Sequence, residues 1–104
     1  MNKEIQDLFE RLRTTPFPAL GKVVGDFALY DSLLAGTVRS FLTESEIDPE
    51  TVPAPDLETV TVLSDLKKKS TLDREEADFL KYAQLLNELR EKLIQAIKGG
   101  KSGA

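Results

Sequence analysis

The sequence predicts an all-α fold, a small bundle of two long and two short helices. Apolar residues recur at intervals of three and four in the long segments, prolines and glycines separate the segments, and only the short run TVTV alternates as a strand does. The chain has 104 residues, of which 40% are hydrophobic and 31% charged, a balance that fits one globular domain with a modest core. We expect this domain to cover residues 1–98.

Helices 1 and 2 are separated by the proline-containing segment TTPFP. Helix 1, over residues 2–13, has an apolar stripe with i, i+3, i+4 and i+7 spacing: Ile5, Leu8, Phe9 and Leu12. The prolines interrupt the helix, because proline lacks a backbone donor and disfavours the α region in the residue before it. Pro18 suits the first turn of helix 2, which we place at about residues 18–42.

An acidic connector and a short third helix follow. The run TESEIDPETVPAPD contains five acids and three prolines, so we expect it to be extended over the surface. Its alternating acids resemble the start of a calcium loop, but Pro49 stands where that loop needs glycine. For residues 56–69 we favour a helix capped by Asp56 over a strand at TVTV, because no other segment offers a strand to pair with.

Helix 4 is the longest predicted element. We place it at about residues 72–98, with Ser70 or Thr71 as its cap. It should stop at Gly99, which leaves residues 99–104 as a disordered tail.

Helix 2 is apolar around most of its circumference, which is typical of a buried helix. On a wheel of 100° per residue, a seam of small residues lies beside its apolar face: Gly21, Gly25, Ala28, Ser32, Ala35 and Gly36. Each glycine costs about 1 kcal/mol of helix propensity relative to alanine, so we interpret the seam as a surface for close approach of another backbone. That backbone belongs either to the same chain or to a second subunit.

The length of helix 4 favours the second subunit. At 1.5 Å per residue the helix is about 40 Å long, whereas a compact chain of this size is about 30–35 Å across. Its apolar arc extends as far as Ile97, so we expect another copy of the chain to cover that end. The prediction is a symmetric homodimer built mainly from helices 2 and 4.

Two charged residues fall on apolar surfaces. Asp31 lies on the apolar face of helix 2, and Arg90 lies on the apolar arc of helix 4. An uncompensated buried charge costs several kcal/mol, so each residue needs a partner or a water-filled recess. If helices 2 and 4 are parallel, the two residues differ in height by about two turns at most. We predict an Asp31–Arg90 pair, within one chain or across the dimer, with Arg39 or another arginine as the alternative partner of Asp31.

The composition argues against several function classes. Cysteine and histidine are absent, so disulfides, thiolate metal sites and histidine-based catalysis are excluded. With 14 basic and 18 acidic residues the net charge is −4, which argues against a nucleic-acid partner. Charges interrupt the most apolar region, and the N-terminus lacks the apolar core of a secretory signal. We expect a soluble cytoplasmic protein.

Residues 23–36, VVGDFALYDSLLAG, resemble a fragment of the MazG-like all-α nucleotide pyrophosphohydrolases. In that family a Glu-x-x-Asp pair on a helix binds magnesium, so the resemblance implies a magnesium-dependent enzyme. Here Lys22 stands four residues before Asp26, where an acid is expected, Val23 cannot substitute for that acid, and the paired acids expected upstream are missing. Glu75 and Glu76 are paired but lie downstream of the motif.

We therefore predict a non-catalytic helical interaction or assembly module that forms a homodimer. It should need no cofactor, and it should bind neither nucleic acid nor membranes. The alternative is a MazG-like magnesium-dependent nucleotide pyrophosphohydrolase, in active or degenerate form. No residue is assigned a catalytic or metal-binding role.

Overall fold

The computed structural model describes residues 2–18, 25–44 and 47–102, and within them the fold is all-helical, as the sequence predicts. The elements, in chain order, are α1 (Asn2–Thr14), α2 (Gly25–Glu44), a 3₁₀ turn (Pro49–Thr51), α3 (Leu57–Lys68) and α4 (Arg74–Ser102). These described residues contain no strand. No helix among them combines the length and the apolar character needed to cross a membrane.

The first two helices end close to their predicted boundaries. α1 ends one residue later than predicted, and the Thr15 hydroxyl donates to the Arg11 carbonyl oxygen at 2.7 Å, which satisfies one acceptor of the last turn. α2 ends at Glu44, also later than predicted. The predicted start of helix 2 is wrong at Pro18, which is not helical, and residues 19–24 lie outside the described residues.

The acidic connector is not extended throughout, whereas the third helix is confirmed. Asp48 caps the 3₁₀ turn by accepting a hydrogen bond from the Glu50 N–H at 2.9 Å. Asp56 caps α3, since its carboxylate accepts from both the backbone N–H and the hydroxyl of Thr59. Thr59 is fully buried, so the TVTV run begins with a side chain that packs inward from a helix rather than from a strand.

α4 begins later than predicted, and its cap is Asp73 rather than Ser70 or Thr71. The Asp73 carboxylate accepts from the Glu76 N–H at 2.8 Å, and the Glu76 carboxylate accepts from the Asp73 N–H at 3.1 Å. This reciprocal arrangement is a capping box. Lys69 joins it through an ion pair with Glu76 at 2.6 Å. The earlier Ser and Thr are left outside the helix because the box fixes its first turn.

α4 also continues past its predicted end. The helix runs through the glycine pair to Ser102, so the predicted stop at Gly99 is wrong. Ala96 and Ile97 are buried and anchor the preceding turns. Each further residue then adds one hydrogen bond to a helix already formed, which offsets the low helix propensity of glycine. Residues 103–104 lie outside the described residues.

α2 and α4 run in the same direction, as the prediction of the Asp31–Arg90 pair assumed. The rings of Phe27 and Phe79 are 4.9 Å apart between centroids, and about one turn further along both helices Asp31 meets Tyr82. This order of contacts, with residue numbers increasing together, is the one expected for parallel helices. It brings one side of α2 against the N-terminal half of α4.

The C-terminal half of α4 is covered by α1 of the same chain. Ile5 of α1 is 1% exposed, and Ala96 and Ile97 of α4 are each 4% exposed. Glu4 and Lys92 form an ion pair of 2.7 Å at this contact. The argument for a dimer from the length of α4 is therefore wrong, because α1 supplies the cover that was assigned to a second subunit. The molecule is accordingly elongated, with extents of 46 × 26 × 22 Å.

One hydrophobic core joins α1, α2 and α4. Its largest fully buried apolar side chains are Ile5, Phe27, Leu34, Val38, Phe79, Leu86, Leu89 and Leu93. These residues belong to the apolar stripes that the sequence shows at helical spacing. Because the core holds one side of α2, the orientation of the other sides of that helix is fixed as well.

Candidate functional site

The small-residue seam of α2 lies on an open side of the helix. Ala28 and Ser32 are exposed, and Gly36 is half-buried. Apart from its chain neighbours and the nearby backbone of α2 itself, a Cβ at Gly36 would meet no atom of the described residues within 4 Å. Gly25 is the first residue of α2, and Gly21 lies outside the described residues. Among the described residues, therefore, no other part of the backbone approaches Gly36 closely.

Two leucines stand beside the seam on the same open side. Leu29 is 57% exposed and Leu33 is 52% exposed. At 100° per residue, Leu29 and Leu33 share an arc of about 100° with Ser32 and Gly36, and we call these four residues the outer face of α2. The sequence assigned neither leucine to the seam, because hydrophobicity alone does not show which apolar residues remain uncovered.

The structure does not bring Asp31 and Arg90 together within the chain. The Tyr82 hydroxyl donates to Asp31 Oδ1 at 2.8 Å, and Arg90 Nε donates to the Pro53 carbonyl oxygen at 2.7 Å. Tyr82 lies level with Asp31. Arg90 is two turns further along α4, about 12 Å from Tyr82 along the helix axis, and contacts the connector there. The predicted pair is wrong within one chain, and a pair across a dimer stays a prediction.

The environment of Asp31 does not favour its charge. Burial raises the pKa of the half-buried Asp31 carboxyl, and the hydrogen bond from Tyr82 opposes that rise. Burial, followed by the hydrogen bond to Asp31, raises the pKa of Tyr82, so this hydroxyl stays protonated and remains a donor. A carboxylate that is ionised at a cost in stability is more typical of a functional position than of a structural one.

A cavity of about 400 Å³ opens beside Asp31, between α1, α2 and α4. Its charged and aromatic lining residues are Phe9, Arg13, Phe17, Asp31, Arg39 and Tyr82. We call it the α1–α2 cavity. Ala35, which the sequence assigned to the seam, is half-buried and lines this cavity instead. With Asp31 and Arg39 it forms a row on α2 at intervals of four residues, so the three side chains share one side of the helix.

Two arginines of the cavity share one aromatic ring. The guanidinium carbons of Arg13 and Arg39 lie 5.7 and 5.5 Å from the centroid of the Phe9 ring, within the range of cation–π attraction. Both arginines are exposed, and neither forms an ion pair with a carboxylate of the described residues. Sequence reasoning considered Arg39 only as a partner for Asp31 and missed Arg13. The spacing of Asp31, Ala35 and Arg39 was the available signal.

The acids suggested by the pyrophosphohydrolase resemblance do not converge. Asp31 lines the α1–α2 cavity, whereas Asp26 lines a different cavity of about 260 Å³ beside Leu29. Glu76 is engaged in the capping box at the start of α4. The described residues contain no group of three or more histidine, cysteine, aspartate or glutamate side chains that could hold a metal ion. No observation in the described part of the chain therefore favours the magnesium-dependent alternative.

In comparisons with known proteins, the chain matches no family model, no curated protein and no solved structure. The resemblance to MazG-like enzymes consequently rests on residues 23–36 alone. Function is better argued from the outer face of α2 and from the α1–α2 cavity.

Proposed function

We propose that the protein is a helical interaction module whose outer face of α2 binds a second copy of the chain. The observation that carries the proposal is the exposure of Leu29 and Leu33 beside Ser32 and the open position at Gly36. Fully burying a leucine contributes about 1.5–3 kcal/mol, so covering the exposed half of each would contribute about 1 kcal/mol. That gain is available only through association.

A second copy fits this face because large and small residues alternate on it. A two-fold interface presents the same patch twice, so one patch must supply both the projections and the recesses. Leu29 and Leu33 project from α2, whereas Ser32 and Gly36 leave room beside them. Antiparallel or parallel pairing of two α2 helices can set the leucines of one against the small residues of the other.

The charge distribution is compatible with self-association. The chain has a net charge of −4, so two copies repel each other at long range. None of the four residues of the outer face is charged. Charged residues are depleted at the centre of protein interfaces because their desolvation is costly. Asp26 lines one cavity with Leu29 and Leu33, so it borders the outer face and has to stay at the solvated rim of the contact.

The size of the face sets the expected strength of the dimer. A standard interface buries about 800 Å² per partner, and one side of a five-turn helix supplies less than that. The connector extends it, because Pro53 and Ala54 line one cavity with Leu29 and Leu33. We therefore expect a weak dimer whose population depends on concentration.

Sedimentation velocity of the full chain from about 5 μM to about 500 μM tests the proposal. The mass should rise from that of one chain toward two. Leu33→Glu should keep the protein monomeric, because it would bury two uncompensated charges in a two-fold contact. Val60→Glu is the matched control: Val60 is 45% exposed on α3, so the same kind of change is made away from α2.

Two results would refute the proposal. A mass of one chain at every concentration removes the dimer. An equal loss of self-association in Val60→Glu and Leu33→Glu would mean that the contact is not made by the outer face of α2. Circular dichroism of both variants should show unchanged helix content, since both positions are exposed in the monomer.

A further inference from the structure

The α1–α2 cavity contains charged groups whose capacity for hydrogen bonds and ion pairs the described residues use only in part. Asp31 has one hydrogen bond, which Tyr82 donates to Oδ1, and its Oδ2 accepts none from the described residues. Arg13 and Arg39 have the Phe9 ring as their neighbour rather than a described carboxylate. A protein that needed only a packed helix pair here could replace all three charges with apolar or small side chains.

The three charges are arranged in order along the cavity. Asp31, Ala35 and Arg39 form a row on α2, and Asp31 and Arg39 are about 12 Å apart along the helix axis. Ala35 between them is small, so the middle of the row is recessed. Arg13 extends from α1 beside the same Phe9 ring as Arg39. The cavity thus has a negative end at Asp31 and a positive end at the two arginines.

We propose that the α1–α2 cavity binds a small zwitterionic molecule, with its amine at Asp31 and its carboxylate or phosphate at Arg13 and Arg39. A guanidinium forms paired hydrogen bonds with such oxygen anions, and a second arginine adds charge attraction. The free Oδ2 of Asp31 accepts from the amine while Tyr82 holds Oδ1. The ligand's two charges are separated by a short apolar body, because the two ends of the cavity are separated.

The size and lining of the cavity agree with this class of ligand. Its volume of about 400 Å³ lies within the range of about 300–1,000 Å³ that is usual for small-molecule sites. Phe17 is 44% exposed and packs edge-on against Tyr82 at 5.3 Å between ring centroids. Its ring supplies an apolar wall for the body of the ligand, and aromatic bodies gain from such contacts.

Three probes of nearly equal shape test the charge pattern: 4-(aminomethyl)benzoate, 4-methylbenzoate and 4-methylbenzylamine. Titration of the ¹⁵N-labelled chain, followed by amide chemical shifts, should give saturable binding of the first probe, with shifts around Asp31, Ala35 and Arg39. The anion alone should bind at least about fivefold more weakly, and the amine alone more weakly still. Competition by inorganic phosphate would show that the arginine end accepts phosphate as well as carboxylate.

Variants separate a binding site from a structural arrangement. Arg39→Gln should lower the affinity for 4-(aminomethyl)benzoate by about tenfold, as expected for the loss of one charge-assisted contact. Arg11→Gln is the matched control, because it removes the same charge from an exposed position of α1 that does not line the cavity. Asp31→Asn should lower the affinity for 4-(aminomethyl)benzoate to that of 4-methylbenzoate and leave the latter unchanged.

Three outcomes overturn the proposal. The first is the absence of saturable binding by all three probes at about 10 mM. The second is an equal loss of affinity in Arg11→Gln and Arg39→Gln, which would indicate general charge attraction. The third is an equal loss of affinity for 4-(aminomethyl)benzoate and for 4-methylbenzoate in Asp31→Asn. Self-association is read from mass and this proposal from amide shifts, so either can fail without the other.

Discussion

Gly36 allows the outer face of α2 to be changed without harming the monomer. Gly36→Ala adds a Cβ in the interior of α2, where, apart from its chain neighbours and the nearby backbone of α2 itself, no atom of the described residues lies within 4 Å. Glycine in a helix interior is about 1 kcal/mol less favourable than alanine, and no steric contact opposes the gain. We expect the free energy of unfolding of the monomer to rise by about 0.5–1 kcal/mol, which corresponds to a rise in Tm of roughly 2–6 °C for a chain of this length.

Gly36→Leu should separate the stability of the monomer from that of the dimer. Leucine has nearly the helix propensity of alanine, so the monomer should gain a similar free energy. In the dimer the new side chain would fill the recess that receives the partner's leucines. Overpacking of this kind costs about 1–3 kcal/mol, which corresponds to roughly 5- to 150-fold weaker association.

Two measurements decide the outcome for Gly36. Urea unfolding at about 2 μM protein reports the monomer, and sedimentation equilibrium at high concentration reports the dimer. A Gly36→Leu monomer less stable than the wild type would show that this position is covered within one chain. Unchanged association in Gly36→Leu would show that the outer face of α2 is not the interface. Gly36→Ala is the control for helix propensity, since its small side chain intrudes least on the recess.

Two further predictions concern stability. Burial raises the pKa of Asp31 above its ordinary value of 3.8, so its ionisation reduces stability as the pH rises through the raised pKa. Asp31→Asn should therefore be more stable than the wild type by up to about 1 kcal/mol at pH 7 and by less at pH 3, and a difference independent of pH in urea unfolding would contradict this. Asp73→Ala should destabilise the protein by about 1 kcal/mol through loss of the α4 cap, whereas Ser70→Ala should change it by less than about 0.3 kcal/mol; equal effects in thermal unfolding would refute the assignment.

Local features of the fold could be predicted from the sequence. The apolar stripe of α1 and the Asp56 cap of α3 were correct, because each depends on residues within one or two turns. The start of α4 was missed although its signal is local. Ser70 and Thr71 were preferred as common caps, yet Asp73 has the acid three residues later that completes a capping box.

The candidate sites depend on packing that the sequence does not state. Asp31 was paired with Arg90 because both fall on apolar surfaces. In the structure Tyr82 lies level with Asp31 and donates a hydrogen bond to its carboxylate. The α1–α2 cavity needs side chains from three elements, and the contact of Arg39 with Phe9 appears only when α1 lies against α2. The cover that α1 gives to the end of α4 also removed the reason for a dimer that came from the length of helix 4.

The apolar character of α2 around its circumference was interpreted as burial, and the structure gives a different reason. One side of the helix packs in the core through Phe27 and Leu34. A second side, which includes Asp31, lines the α1–α2 cavity, and a third side is the outer face with Leu33. A helix with three such sides has no single polar strip, so its simple amphipathic pattern is weak. At 100° per residue Leu33 is about 160° from Asp31, so substitution at either residue leaves the other side intact and the two proposals can be tested separately.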